Sequence, residues 1–421
     1  MLIEFRAKNF RSIREEQCLS LVASKDTAHS ETHLISSGIP SLPHMVRSAV
    51  VYGANASGKS NLINAMAFMQ SVVATSATQM REGQRFNFQP FRLDSESVEQ
   101  PSEFEISFID QGVRYQYGFA ILPDRIAEEW LFVYKTSKPQ MWFSRIINPE
   151  TTKDDYKFGS HLTGQRKLWQ ESTRSNALFL SKAVDLNSES LRPIYLWITQ
   201  KLNIIAAGQQ PMEDFSINHA QSDDGREEIL KFLAAADLSI AEFSLEKRKM
   251  KQVGFHIEDG QPPVQLVEEV EKTMPLFLHK AEGGSATFEL QDESSGTQRL
   301  FAFAGPVLDA LNRGSVLVVD ELDSSLHAKM VRYLVAVFQT TEINKTGGQL
   351  VLTTHDTSLL STDIFRRDQI WFVEKNRAQA TKLYPLTDFS PRKHEAIERG
   401  YLMGRYGALP FLKNLDCEGG V

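Results

Sequence analysis

The chain has 421 residues, 42% hydrophobic and 24% charged, with a formal net charge of −7. That length holds two or three packed lobes, the composition is ordinary for a soluble globular protein, and the acidic balance excludes a surface coated with positive charge for nucleic acid. No apolar stretch is long enough to span a bilayer, Met1-Leu2-Ile3-Glu4-Phe5-Arg6 is not a secretion signal, and Cys18 and Cys417 give neither a disulfide framework nor metal-ligand spacing, so a cytoplasmic protein is expected.

Leu2 to Ile13 and Gln17 to Val22 alternate in the manner of half-buried strands, with turn character from Asn9 to Glu16. Residues 25–44 are rich in Ser, His, Pro and Gly and read as a loop. Ala49-Val50-Val51-Tyr52 is an apolar run that reads as a buried strand. It leads into Gly53-Ala54-Asn55-Ala56-Ser57-Gly58-Lys59-Ser60, which matches the phosphate-cradling pattern G-x-x-x-x-G-K-[ST], and Asn61 to Met69 then reads as a helix. Backbone N–H groups and the positive helix end would surround a triphosphate, Lys59 would reach its β/γ-phosphates, and the Ser60 hydroxyl would bind Mg²⁺. The expected nucleotide-binding set is Gly53, Asn55, Ala56, Ser57, Gly58, Lys59, Ser60 and Asn61.

From Phe86 to about Ile147 the pattern returns to period two. Glu103–Phe108, Val113–Phe119, Glu129–Tyr134 and Met141–Ile146 are four expected strands, with Asp110-Gln111-Gly112 as a hairpin turn between the first two. Residues 176–240 turn helical, including Leu191 through Leu202, and Trp197 is expected in the core. Residues 241–290 read as short strands with polar turns. They carry the densest basic run, Glu246-Lys247-Arg248-Lys249-Met250-Lys251, which is expected to be a solvated face, with DNA contact as the lesser alternative.

Three stretches near the C-terminal third carry chemistry. Ser315 to Val319 is a buried strand ending in Asp320-Glu321, where a Mg²⁺ ligand (Asp320) and a base for the attacking water (Glu321) belong in a P-loop ATPase. Gln349 to Thr354 is another buried strand, ending in His355, placed to contact a γ-phosphate; 34 residues separate it from Glu321, enough for a helix and a crossover. Before both, Ser294-Ser295-Gly296-Thr297-Gln298 opens an apolar helix from about Leu300 to Leu311 and offers free N–H groups to an anion, a weak signal taken alone.

This combination resembles the ATP-binding-cassette type of ATPase, in the branch that includes SMC-like, recombination-mediator and OLD proteins. Asn9-Phe10-Arg11-Ser12 looks like that family's opening motif, Gly53–Ser60 its Walker A, Ser294–Gln298 its signature, Asp320-Glu321 its Walker B, Ser324-Ser325-Leu326-His327 its D-loop, and His355 its switch histidine. The resemblance implies ATP and Mg²⁺ as cofactors, and a head-to-tail dimer or higher homo-oligomer in which Ser295 and Gly296 of one copy close over nucleotide held by another. Thr297 departs from the usual second glycine. No Q-loop glutamine stands near 178–190, leaving Gln89 and Gln116 as weak alternatives.

The chain looks closer still to compact bacterial ABC-type "AAA family ATPases" of phage-defence and abortive-infection loci, through Phe88–Asp94, Pro101–Phe104, Glu128-Glu129-Trp130, Asp368–Glu374 and Gly400–Ala408. Members of that group typically act beside a separately encoded effector, often a nuclease. The 66 residues after His355 are too few for an OLD-type nuclease domain, and no long coiled coil of the SMC kind is present. The expected fold is α/β: an ABC-type P-loop ATPase core with an antiparallel β lobe and a helical insert between Walker A and signature. The expected divisions are an N-terminal ATPase half (1–85), the antiparallel lobe (86–175), a helical and mixed insert (176–290) and a C-terminal ATPase half (291–421). The expected function is an ATP-hydrolysing switch controlling an effector in defence, with a DNA-repair ATPase and a slowly hydrolysing scaffold as alternatives.

Overall fold

A computed structural model describes residues 1–208, 213–236, 240–256, 264–391 and 395–409; Cys417 lies outside them. The chain divides into two compact units, one of residues 1–209, 310–324 and 331–421, the other of residues 210–309 and 325–330.

The first unit holds the P-loop, Asp320-Glu321 and His355. Its N-terminal strands β1 (Leu2–Lys8) and β2 (Gln17–Ser20) are followed by a hairpin of β3 (Leu34–Ile39) and β4 (Leu42–Val46), and by the fully buried β5 (Ser48–Gly53). The hairpin corrects the loop expected over 25–44. Its apolar positions are few, but Ile35 pairs with Met45 and Leu34 with Val46, enough to set the register. The P-loop helix, Lys59–Thr75, buries Leu62, Ile63, Met66, Met69 and Val73.

Five antiparallel strands follow: β6 (Ser102–Asp110), β7 (Val113–Leu122), β8 (Arg125–Tyr134), β9 (Gln140–Ile147) and β10 (Asp154–Phe158). The first four answer the period-two pattern. Gln111 and Gly112 both take positive φ, 48° and 76°, as a tight hairpin between β6 and β7 requires. The sheet runs β10-β9-β8-β7-β6-β1-β2, so β1 and β2 belong with the antiparallel strands and not with the P-loop strand. Buried Glu129 on β8 accepts from the N–H groups of Phe179 (2.7 Å) and Leu180 (3.0 Å) and from the Tyr117 hydroxyl (3.0 Å), pinning the chain where it leaves the lobe.

The expected helix through Leu202 is shorter. A helix over Arg192–Leu196 passes into a π turn at Trp197–Lys201, and Leu202–Ile205 is strand β11. Four residues of strand behind a helix look like its last turn, because both are simply apolar. Trp197 is buried as expected and stacks on Phe108 at 4.0 Å between ring centroids.

The second unit carries β12 (Glu242–His256), β13 (Val264–Ala281) and β14 (Gly284–Glu289), an antiparallel sheet in that order. Strands of 15 and 18 residues replace the short ones expected here. Their polar alternation, with Pro275 placed one residue before β14 begins to pair at Leu276, hides their length. The basic run lies on β12 and is balanced by β13: Lys249 stands opposite Glu271 and Lys251 opposite Glu269. The signature helix, Ser295–Arg313, contains Pro306. The Ser216 hydroxyl reaches the carbonyls of Phe301 (2.5 Å) and Ala302 (3.3 Å), which supplies a donor where the proline has none.

The remaining strands return to the first unit: β15 (Val316–Val319), β16 (Gln349–Thr353), β17 (Ile370–Lys375) and β18 (Thr381–Pro385). They complete a six-stranded sheet in the order β11-β15-β16-β5-β17-β18, with every pairing parallel except β17 with the edge strand β18. Fully buried parallel strands read as continuous apolar runs, which is how β5, β15 and β16 stand out in the sequence. One core joins both sheets and the P-loop helix, with Phe5 and Phe104 from the antiparallel side and Val51, Val318 and Val351 from the parallel side. The fold is mixed α/β, and no helix among the described residues is long and apolar enough to cross a membrane.

Candidate functional site

In an open parallel sheet, ligands bind beyond the carboxyl ends of the strands. Here β5, β16 and β15 are consecutive neighbours, and their C-terminal ends deliver the P-loop, His355 and Asp320-Glu321.

The P-loop is held by close packing. A Cβ on Gly53 would stand 2.3 Å from the Val373 carbonyl oxygen, and one on Gly58 would stand 2.1 Å from Thr381 Oγ1. Gly58 also takes φ 113°. Both glycines are therefore fixed by space, and Gly58 by conformation as well. Ala56, at φ 61°, supplies a left-handed step inside the loop, the kind of alternation that turns successive N–H groups inward. Ser12 and Thr381 latch the loop from outside. Their hydroxyls are 2.7 Å apart, the Thr381 hydroxyl donates to the Ser57 carbonyl (3.0 Å), and Asn61 Nδ2 donates to Ser12 Oγ (2.6 Å).

Lys59 is only 4% exposed. Its ammonium donates to the carbonyls of Gly53 (2.7 Å) and Ala54 (3.3 Å) and lies 3.5 Å from His355 Nδ1. Burial pushes its pKa down to about 8, against the pull of Asp320, Glu321 and Asp323. His355 is lowered too, first by burial and then by the Lys59 charge, so a neutral imidazole faces the ammonium. The His355 N–H donates to Asp323 Oδ2 at 3.0 Å.

On the acidic side, the Thr353 hydroxyl donates to Asp320 Oδ1 (2.5 Å) and accepts from the Glu321 N–H (2.7 Å). Asp320 is 6% exposed, and its Oδ2 finds no hydrogen-bond partner among the described residues. A buried carboxylate oxygen left without a donor is costly unless something else meets it. That open oxygen is of the kind a divalent cation takes, and Asp320 with the Ser60 hydroxyl at the start of the P-loop helix are the residues that would hold one, since magnesium takes one or two protein ligands beside phosphate and water. Such an ion would neutralise charge on the β- and γ-phosphates. Glu321 has φ 52°, the left-handed region that non-glycine residues rarely enter, and it is partly exposed at the strand end.

Thus Gly53 to Asn61, Asp320, Glu321 and His355 come together in one unit. Ser295 and Gly296 belong to the other, where Ser294 accepts from the Thr297 N–H (3.2 Å) and both residues are exposed at the start of the signature helix. Around Gly296 a Cβ would meet only Ser294 Oγ, at 3.8 Å, so that helix start is open. Sequence reading missed Asp323, Thr353 and Thr381. Asp323 was within reach, two residues past the acidic pair; the two threonines carry no local signal. Gln116 bonds Glu105 (3.0 Å) and Tyr134 (2.7 Å) inside the antiparallel sheet, while Gln89 lines a cavity with Phe10, Arg11, Asn61, Asn64 and Phe88 beside the P-loop helix.

Residues 48–361 match the family described as "AAA domain, putative AbiEii toxin, Type IV TA system". Among solved structures, the SMC head domain from Thermotoga maritima aligns over 91% of this chain and 98% of its own, at 13% identity and a TM-score of 0.42. An SMC head bound to the C-winged helix domain of ScpA aligns over 91% and 97%, at 15% identity and 0.42. No curated protein matches the sequence.

Proposed function

The chain belongs to this AAA-domain family and is a nucleotide-binding ATPase, and from that premise we propose that it is an ATP-hydrolysing, Mg²⁺-dependent switch. In this reading it assembles head-to-tail through Ser295 and Gly296 and controls a separately encoded effector in anti-phage defence. The observation that carries the hydrolytic part is the convergence of Lys59, Asp320, Glu321 and His355 at adjacent strand ends, with one Asp320 oxygen open. Gly53 to Asn61 would hold the phosphates, and Ser60 with Asp320 the metal. Glu321 would take a proton from the attacking water, and neutral His355 would orient the γ-phosphate.

The open start of the signature helix supports the assembly part, because the room around Gly296 and the positive end of a 19-residue helix suit an anion brought by another copy. The family's description, with its "putative AbiEii toxin" and "Type IV TA system", supports a role in such a conflict system. The acidic partners opposite Lys249 and Lys251 weigh against a nucleic-acid surface on β12. The test is native mass with and without Mg²⁺-ATP on Glu321→Gln, alone and with Ser295→Arg. The Glu321→Gln protein should double in mass with ATP, and the added arginine should abolish the doubling while nucleotide still binds. A saturated Glu321→Gln protein that stays monomeric refutes assembly through nucleotide.

A further inference from the structure

We propose that Thr353 is the positioning residue of this site: one hydroxyl sets both which Asp320 oxygen is open to metal and where the Glu321 backbone stands. The proposal rests on the reading of Asp320 as metal ligand and Glu321 as base, and adds the residue through which both are held.

The direction of each bond is forced. The Glu321 N–H can only donate, so at 2.7 Å the Thr353 oxygen must accept from it. The hydroxyl then has a single proton left, and it points to Asp320 Oδ1 at 2.5 Å. One lone pair of Asp320 Oδ1 is thereby taken, and Oδ2 is the oxygen that meets no donor among the described residues. Thr353 is itself fully buried on β16, and its β-branched side chain has little rotamer freedom. Strand register completes the geometry, since Val319 pairs with Leu352 and brings the two strand ends level. A valine of the same shape would fill the space, yet leave the Glu321 N–H without its acceptor and Asp320 Oδ1 without its donor.

A residue that only fills the core would not move metal affinity separately from nucleotide affinity. The full-length protein carrying Thr353→Val is therefore titrated with Mn²⁺ in the presence of a slowly hydrolysed ATP analogue, with bound metal read by electron paramagnetic resonance. Analogue binding is measured in EDTA, and hydrolysis with Mg²⁺. Mn²⁺ affinity should fall about 10–100-fold, as for loss of an outer-shell partner of a metal ligand, while binding in EDTA stays at the parent value. Thr353→Ser, which keeps the hydroxyl, should return both Mn²⁺ affinity and hydrolysis. Parent-like Mn²⁺ affinity in Thr353→Val, or failure of Thr353→Ser to restore it, overturns the proposal. Asp320→Asn is run beside it: if that variant also binds Mn²⁺ like the parent, it is the metal-ligand reading that fails. Should Thr353→Val not fold, judged by melting and by binding in EDTA, Thr353→Ala, which also lacks donor and acceptor, replaces it with the same expected outcomes.

Discussion

Glu321 offers a test in which backbone strain and catalysis part company. Its φ of 52° places a side-chain-bearing residue in the left-handed region. That conformation costs about 1–2 kcal/mol for an L-residue other than glycine. Glycine removes the cost but gives back about 0.5–1 kcal/mol through its freer unfolded chain. Glu321→Gly should therefore be more stable than Glu321→Gln, by up to about 1.5 kcal/mol. The comparison is made between those two variants because both remove one negative charge from beside Asp320 and Asp323, so electrostatic relief cancels. Urea unfolding followed by tryptophan fluorescence is the assay. All five tryptophans, at 130, 142, 169, 197 and 371, lie in the unit that carries Glu321, so the signal reports that unit alone. Phosphate release should fall by about 10²–10⁴-fold in both variants, the usual weight of a general base. If Glu321→Gly is the less stable of the two, the strain argument is wrong. If Glu321→Gln releases phosphate like the parent, Glu321 is not the base.

Gly58→Ala should abolish nucleotide binding and cost about 1–3 kcal/mol from overpacking beyond its φ penalty, because its Cβ would stand 2.1 Å from Thr381 Oγ1. Adding Thr381→Ala should recover part of that loss, a coupling of about 0.5–3 kcal/mol in a double-mutant cycle; strict additivity refutes the contact. Lys59, with a pKa near 8 in the nucleotide-free protein, must be charged to pair with phosphate, and bound phosphate raises its pKa. Affinity for ATP, measured in EDTA, should be flat below pH 8 and then weaken by up to about tenfold per pH unit above it, a slope that Lys59→Met removes. A parent affinity that stays constant from pH 7 to well above 8 contradicts the assignment.

How much of this was legible in the sequence follows from what each residue depends on. The P-loop, β15 and β16 could be read because their runs are buried on both faces and end in residues of unmistakable chemistry. Strand β11 could not, since Leu202-Asn203-Ile204-Ile205 becomes a strand only by pairing with Val316–Val319, more than a hundred positions away. The β3–β4 hairpin was hidden by loop-like composition, and the length of β12 and β13 by their polar alternation. In the site itself the division is sharper. Residues that would touch nucleotide announce themselves, because phosphate demands glycine, lysine and carboxylate at fixed spacing. Ser12, Thr353 and Thr381 hold those residues, and they do so through hydroxyls whose partners are set by the register of remote strands. Thr381 meets Ser57 across 324 positions, and Thr353 meets Asp320 across 33. Their substitution by residues of the same shape without the hydroxyl keeps the packing and removes the hold. That is why the metal measurement discriminates more finely here than loss of activity alone: it separates the groups that do the chemistry from the hydroxyl that aims them.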